Sequence, residues 1–192
     1  MAKISPSVLL AILMLTIPLS GCLEDSISEE IKGDDASTVF VDPCTLPSQS
    51  LTQSFIDINV NGEDRQYRLS APSSDAGTLL PVIIAFHGGG GSNEDFQQQS
   101  QFDQLGEEEK FIMAYAIADD DRTAAEGEWY LNTAATSRED NIYVEHIIEN
   151  LSTAYCIDED RLYGIGYSLG SMYTYEIACQ MNHQFAAVAS FA

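Results

Sequence analysis

The stretch that most constrains this chain is 79–86, LLPVIIAF, an unbroken apolar run rich in β-branched residues that ends at once in His87-Gly88-Gly89-Gly90-Gly91. With no polar alternation, a strand built from it is buried on both faces, as in the centre of a parallel sheet. Residues 111–118 form a second such run, closed by Asp119-Asp120-Asp121, and 161–167 and 185–191 read as further strands. Helical periods lie between them. Ile142, Val144, Ile147, Ile148 and Leu151 make a stripe over about 137–154, and 169–181 reads as another helix. Ser92 or Asn93 is placed to cap a helix after the glycines, with Glu94 and Asp95 favourable in its first turn. Upstream, 54–60 and 65–69 alternate in polarity around Asn61-Gly62, the pattern of a tight hairpin. Strands alternating with helices predict an α/β fold with a mostly parallel sheet and helices on both faces.

Within that frame, Gly166-Tyr167-Ser168-Leu169-Gly170 is a G-x-S-x-G between a predicted strand and a predicted helix. Such a turn is tight enough to strain the serine backbone and to demand small residues two before and two after it. The serine then projects its hydroxyl above the sheet edge, and the helix N-terminus behind it favours the negative charge that develops in acyl transfer. Ser168 is therefore the expected nucleophile, with Gly166 and Gly170 as the elbow. The loop His87–Gly91 matches the H-G-G-G type that supplies an oxyanion-hole N–H, so Gly88 and Gly89, with the N–H of Leu169, are the expected donors. The same glycines lack the G-K-[ST] ending of a phosphate-binding loop.

A histidine base is harder to find. Where a G-x-S-x-G elbow carries a catalytic serine the order along the chain is serine, acid, histidine, and after Ser168 only Glu176 and His183 follow, both on the nucleophile helix or at its end. His87 reads as a loop-positioning residue and His146 as a helix-surface residue. Trp129 and Tyr130 are expected either to line an acyl pocket or to pack in the core. Asp119, Asp120 and Asp121 read as a solvated loop rather than a cation site, the cysteine spacing resembles no metal site, and no cofactor is implied.

Several blocks together resemble the secreted polyhydroxyalkanoate depolymerase and feruloyl esterase family of α/β-hydrolases: Arg65 to Leu69, PVIIAFHGGGGSNEDF from Pro81, Trp129, Asp140, CIDEDRLYGIGYSLGSM from Cys156, and ACQMNHQFAAVASFA from Ala178. Leu169 and Ser171 depart from the usual pattern, where a small or amide residue and a glycine are common. The resemblance implies a serine carboxylic-ester hydrolase acting through an acyl-enzyme on polyester, feruloyl or acetyl-xylan type esters. It also implies further strands carrying the acid and the base, so that 41–192 would be the N-terminal part of the catalytic domain and turn over poorly by itself. A serine peptidase of the same fold and a non-catalytic polymer-binding surface lipoprotein are the alternatives.

At the start of the chain, Lys3 precedes an apolar run over 8–19 that is too short to span a bilayer comfortably, the pattern of an export signal. Leu19-Ser20-Gly21-Cys22 resembles the lipobox of bacterial and archaeal lipoproteins, which implies a signal peptide over 1–21, lipid on Cys22 and a membrane anchor. An ordinary cleaved signal or an uncleaved anchor is the alternative. Residues 22–40 are polar and acidic and read as a flexible tether. A net charge of -22 opposes nucleic-acid binding and favours solubility at high ionic strength. With Cys22 lipidated, Cys44, Cys156 and Cys179 remain, an odd count that leaves one partner elsewhere. Cys156 and Cys179 are both predicted at the sheet end opposite Ser168, a placement that allows a disulfide between them.

Overall fold

A computed structural model of the chain describes residues 44–90, 93–118, 129–131, 139–181 and 183–191. The signal, Cys22, the tether, Ser92 and the acidic loop 119–121 lie outside the described residues.

The chain enters the sheet through the expected hairpin. Strand β1 (Thr52–Val60) runs antiparallel to β2 (Glu63–Ala71), and Val60 pairs with Glu63 across a two-residue turn. Both turn residues have positive φ, 54° at Asn61 and 98° at Gly62, a backbone that Asn-Gly tolerates and that matches the twist of the flanking strands. The Asn59 side-chain oxygen accepts the Gly62 N–H at 2.9 Å and fixes the turn.

Four more strands complete the sheet: β3 (Leu80–Phe86), β4 (Ile112–Ala116), β5 (Ile157–Tyr167) and β6 (Ala187–Phe191). Their order across the sheet is β1-β2-β4-β3-β5-β6. The last four run parallel to one another, and β2 is antiparallel to β4. Among the described residues four helices connect them: α1 (Asn93–Ser100), α2 (Phe102–Glu109), α3 (Glu139–Ala154) and α4 (Leu169–Gln180).

The central strands bury both faces, as their composition requires. Val82, Ile84 and Phe86 of β3, with Ile112, Ala114 and Ala116 of β4, face the larger core beneath α3 and α4, where Val144, Ile147, Leu151, Tyr173 and Ile177 close over them. The alternate residues Ile83, Ala85, Met113 and Tyr115 face the other way, against Phe96 of α1 and Phe102 of α2. Period-two alternation thus serves two cores instead of a core and solvent.

Three differences from the sequence reading have physical causes. The single helix expected after the glycines is broken at Gln101, which sits in the left-handed region at φ 56°; glutamine carries no turn signature, so nothing in the sequence marks the break. Strand β5 begins at Ile157, four residues early, because Ile157 pairs with Leu80 before a register shift that brings Leu162 opposite Val82. The disulfide is also different: Cys156 is bonded to Cys44, with Cα atoms 5.7 Å apart, and not to Cys179. The segment after Cys44 runs beside the β2–β3 connection. Gln49 and Ser74 exchange backbone hydrogen bonds of 2.9 and 3.0 Å, and Gly77 donates to Leu46 at 3.1 Å. Leu80 in turn donates to Cys156 at 2.7 Å, so Cys44 is delivered to the foot of β5. No described cysteine is free.

Candidate active site

Strands β3 and β5 are parallel neighbours in register, with Phe86 opposite Gly166, so the loops leaving their C-terminal ends meet. On the β5 side the chain turns from Tyr167 through Ser168 straight into α4. Ser168 has φ 52° and ψ −118°, a positive φ that costs a non-glycine residue roughly 1–3 kcal/mol and persists only where the surroundings enforce it. The enforcement is visible. The Ser168 N–H donates to Phe191 O of β6 at 2.9 Å, and its carbonyl accepts Ser171 and Met172 N–H at 3.0 and 3.2 Å. Its side chain makes no capping bond to the helix, and the residue is exposed.

The flanking glycines are demanded by contact. A Cβ at Gly166 would fall on Gly170 O and on the Thr174 hydroxyl, while one at Gly170 would fall on Phe86 O and lie 2.5 Å from His87 O. Thr174 is fully buried and donates to Gly170 O at 2.7 Å, which holds the first turn of α4 against Gly166. On the β3 side, a Cβ at Gly88 would stand 3.1 Å from Ser168 Cβ, and one at Gly89 would stand 3.2 Å from Leu169 Cδ2. The glycine loop therefore lies in van der Waals contact with the elbow. Among the described residues none accepts the N–H of Gly88, Gly89 or Leu169, and the positive end of the twelve-residue α4 faces the same spot.

A buried polar and aromatic assembly supports this junction from below. His87 is buried; its Nε2 accepts the Ala118 N–H at 3.2 Å, which leaves Nδ1 as the protonated nitrogen that donates to Gly88 O at 2.9 Å. Trp129 donates from Nε1 to His87 O at 2.8 Å and stacks on Tyr173 of α4, the ring centroids 5.0 Å apart and 9° from parallel. Phe86 meets both rings edge-on, at 5.3 and 5.0 Å. The Tyr173 hydroxyl donates to Asn141 at 2.9 Å. Asp140, buried at the start of α3, accepts the Tyr130 N–H at 2.7 Å and lies 3.5 Å from Arg65. Arg65 also donates to Ile117 O at 3.0 Å and covers the Tyr143 ring at 4.0 Å. Burial pushes the Tyr143 and Tyr173 phenols well above the ordinary 10, so both remain protonated donors.

The structure brings together Ser168, Gly88, Gly89, Leu169, Gly166 and Gly170. It does not bring Glu176 or His183 to them. Glu176 accepts from Gln180 within α4 at 2.8 Å. His183 lines a groove with Glu145, Glu149 and Ile157, at the end of β5 remote from Ser168. His146 is on α3, and both ring nitrogens of His87 are engaged in the loop. Of the two readings of Trp129, the core is the one observed, since the ring is only 3 % exposed. Sequence reasoning passed over Thr174, Tyr173, Asn141 and the charge of Arg65. A threonine one helical turn beyond Gly170 was the available signal for the first; a partly buried arginine in so acidic a chain gives none.

No family model matches the chain. Two curated proteins are similar: "Putative esterase NocK" of Nocardia uniformis subsp. tsuyamanensis, 28% identical over 76% of this chain and 43% of its own length, and the bifunctional acetylxylan esterase/xylanase XynS20E of Neocallimastix patriciarum, 27% identical over 67% of this chain and 18% of its own. Among solved structures, S-formylglutathione hydrolase (FrmB) of Staphylococcus aureus superposes with a TM-score of 0.58 at 14% identity, over 72% of this chain and 56% of that one. The chain spans well under two thirds of each. The sheet order, the serine elbow after β5, the glycine loop after β3 and this superposition together show that the chain has the α/β-hydrolase fold.

Proposed function

We propose that the protein is a serine carboxylic-ester hydrolase in which Ser168 is the nucleophile and the N–H groups of Gly88, Gly89 and Leu169 form the oxyanion hole. The observation that carries this reading is the strained Ser168 backbone, at φ 52°, clamped at a glycine-lined junction. Strain of this kind is retained where it serves chemistry, and here the exposed Ser168 lies against the glycine loop and at the start of α4, where the N–H groups of Gly88, Gly89 and Leu169 have no acceptor among the described residues. Ser168 Oγ attacks the ester carbonyl while a base accepts its proton, the carbonyl oxygen gains its charge facing the N–H groups, and the C–O bond to the leaving group breaks as the base hands that proton to it, so that an alcohol departs. Water then releases the acyl group by the same steps in reverse order of partners. Among the described residues none brought to Ser168 supplies the base or its orienting acid. The esterase relatives support the reaction class.

The exposed rings of Tyr167 and Phe191, 5.8 Å apart and flanking the serine, suit an ester with an apolar or aromatic group, including polyester, feruloyl or acetylated-polysaccharide esters. Export and a lipid on Cys22 rest on the sequence of 1–22 alone, and would bring the enzyme to the cell surface, where polymeric esters are met.

The test is hydrolysis of p-nitrophenyl acetate and butyrate by the full-length protein and by its Ser168→Ala variant. The unsubstituted enzyme should turn both over, and the variant should lose at least about 10⁴-fold in kcat. A folded Ser168→Ala protein with undiminished activity, or a folded parent inert to these and to feruloyl and polyester substrates, would sink the reading.

A further inference from the structure

We infer that Trp129 is a positioning residue for the oxyanion hole: its indole N–H fixes the carbonyl of His87 and thereby aims the N–H of Gly88 at the substrate oxygen. This rests on the esterase reading and deepens it. The described peptides are all trans, so the carbonyl and the N–H of one peptide plane point in opposite directions. The 87–88 peptide is held by its carbonyl, which accepts from Trp129 Nε1 at 2.8 Å inside the core. Its N–H, belonging to Gly88, is thus turned away from the core. The next peptide is held in the same way, since Gly88 O accepts from His87 Nδ1 at 2.9 Å and the Gly89 N–H is turned from that bond. Two successive planes of the loop are each anchored by one ring N–H. Glycine has no side chain to resist rotation of these planes, so the anchors set their angle.

Trp129 is also the point where the loop and the nucleophile helix share a support. Its ring lies flat on Tyr173 of α4, and Tyr173 is tied through Asn141 to α3. The neighbouring Tyr130 N–H is held by Asp140, itself beside Arg65. The donor loop and the helix that carries Ser168 are therefore registered against one buried indole. A displacement of the Gly88 N–H by a few tenths of an ångström weakens a bond made fully only in the transition state, so the loss belongs to kcat and not to KM.

The experiment compares the full-length protein with Trp129→Phe and with Trp129→benzothienylalanine, a sulfur isostere that keeps the two-ring shape and the stacking but has no N–H to donate. Fluorophosphonate labelling of Ser168 counts competent sites, and kcat and KM for p-nitrophenyl butyrate are taken per labelled serine. We expect kcat to fall about 10- to 100-fold in both variants, KM to stay within about twofold, and the labelled fraction at saturation to be unchanged. An isostere variant with full kcat overturns the inference, as does a fall explained by fewer labelled sites or by a raised KM. If Trp129→Phe does not fold, the isostere decides. Absence of both labelling and hydrolysis in the unsubstituted protein removes the esterase reading itself, and the inference with it.

Discussion

The two ends of the central strands are held together by opposite means. At the C-terminal end, Phe86 and Gly166 lead into the glycine loop and the elbow, and the junction is fixed by lack of room: Gly170 lies so close to Phe86 O and His87 O that no side chain fits. At the N-terminal end, Leu80 and Ile157 are fixed by links, namely the Leu80–Cys156 backbone bond and the Cys44–Cys156 disulfide. At the reactive end Gly166 and Gly170 thus leave no room for an added carbon, whereas the far end is expected to keep its geometry when one of its links is removed. Position matters more than strength where chemistry is done.

This contrast is open to direct attack. The largest effect is expected from Gly170→Ala, whose methyl meets main-chain atoms of β3 that cannot move without opening the sheet. The loss should be at least about 4 kcal/mol by urea unfolding, or no folded protein at all. Retention of normal stability would show that the elbow is looser than its contacts indicate. The double variant Cys44→Ser/Cys156→Ser should lose about 2–4 kcal/mol, since the bridge closes a long loop, while Ser168 labelling stays within about twofold of the parent. A labelling rate that collapsed with the disulfide would mean that the two ends are coupled after all.

The smallest effect concerns Glu107, near the same far end. Hydrogen bonds from Lys110 and then from Ser73 hold its carboxyl down from the ordinary 4.5 to about 2. Its folded pKa being depressed, the stabilisation is present above pH 4.5 and is lost as the pH falls toward 2. The stability gap between the parent and Glu107→Gln should therefore be small at neutral pH, because the carboxylate is exposed, and should close toward pH 2. A gap that widened in acid would reverse the assigned sign.

What was legible in the sequence follows the same division. The buried strands, the elbow and the glycine loop could be read because each imposes a local requirement, whether an apolar run, a positive φ or a missing Cβ, that restricts which residues can stand there. The order of the strands, the break at Gln101 and the pairing of Cys44 with Cys156 could not, because each depends on which distant segments become neighbours. The expectation of Cys156 with Cys179 placed the right end of β5 beside the wrong segment: the strap that brings Cys44 there has no periodicity and is held by backbone bonds to Ser74 and Gly77. Trp129 lay between the two cases. Its position on a loop gave two readings, and only the partners Tyr173 and His87 O decide between them.

The disulfide has a consequence for how the chain is made. Cys44 leaves the ribosome 112 residues before Cys156, and a bond spanning that separation gains little from chance encounter of the two ends. Its formation is expected to follow the docking of β3 on β5 and of the 44–50 strap against Ser74 and Gly77. Oxidation of this pair is then a late event that records a completed central sheet, and the time at which the thiols disappear during refolding is a clock for the assembly of the surface on which Ser168 stands.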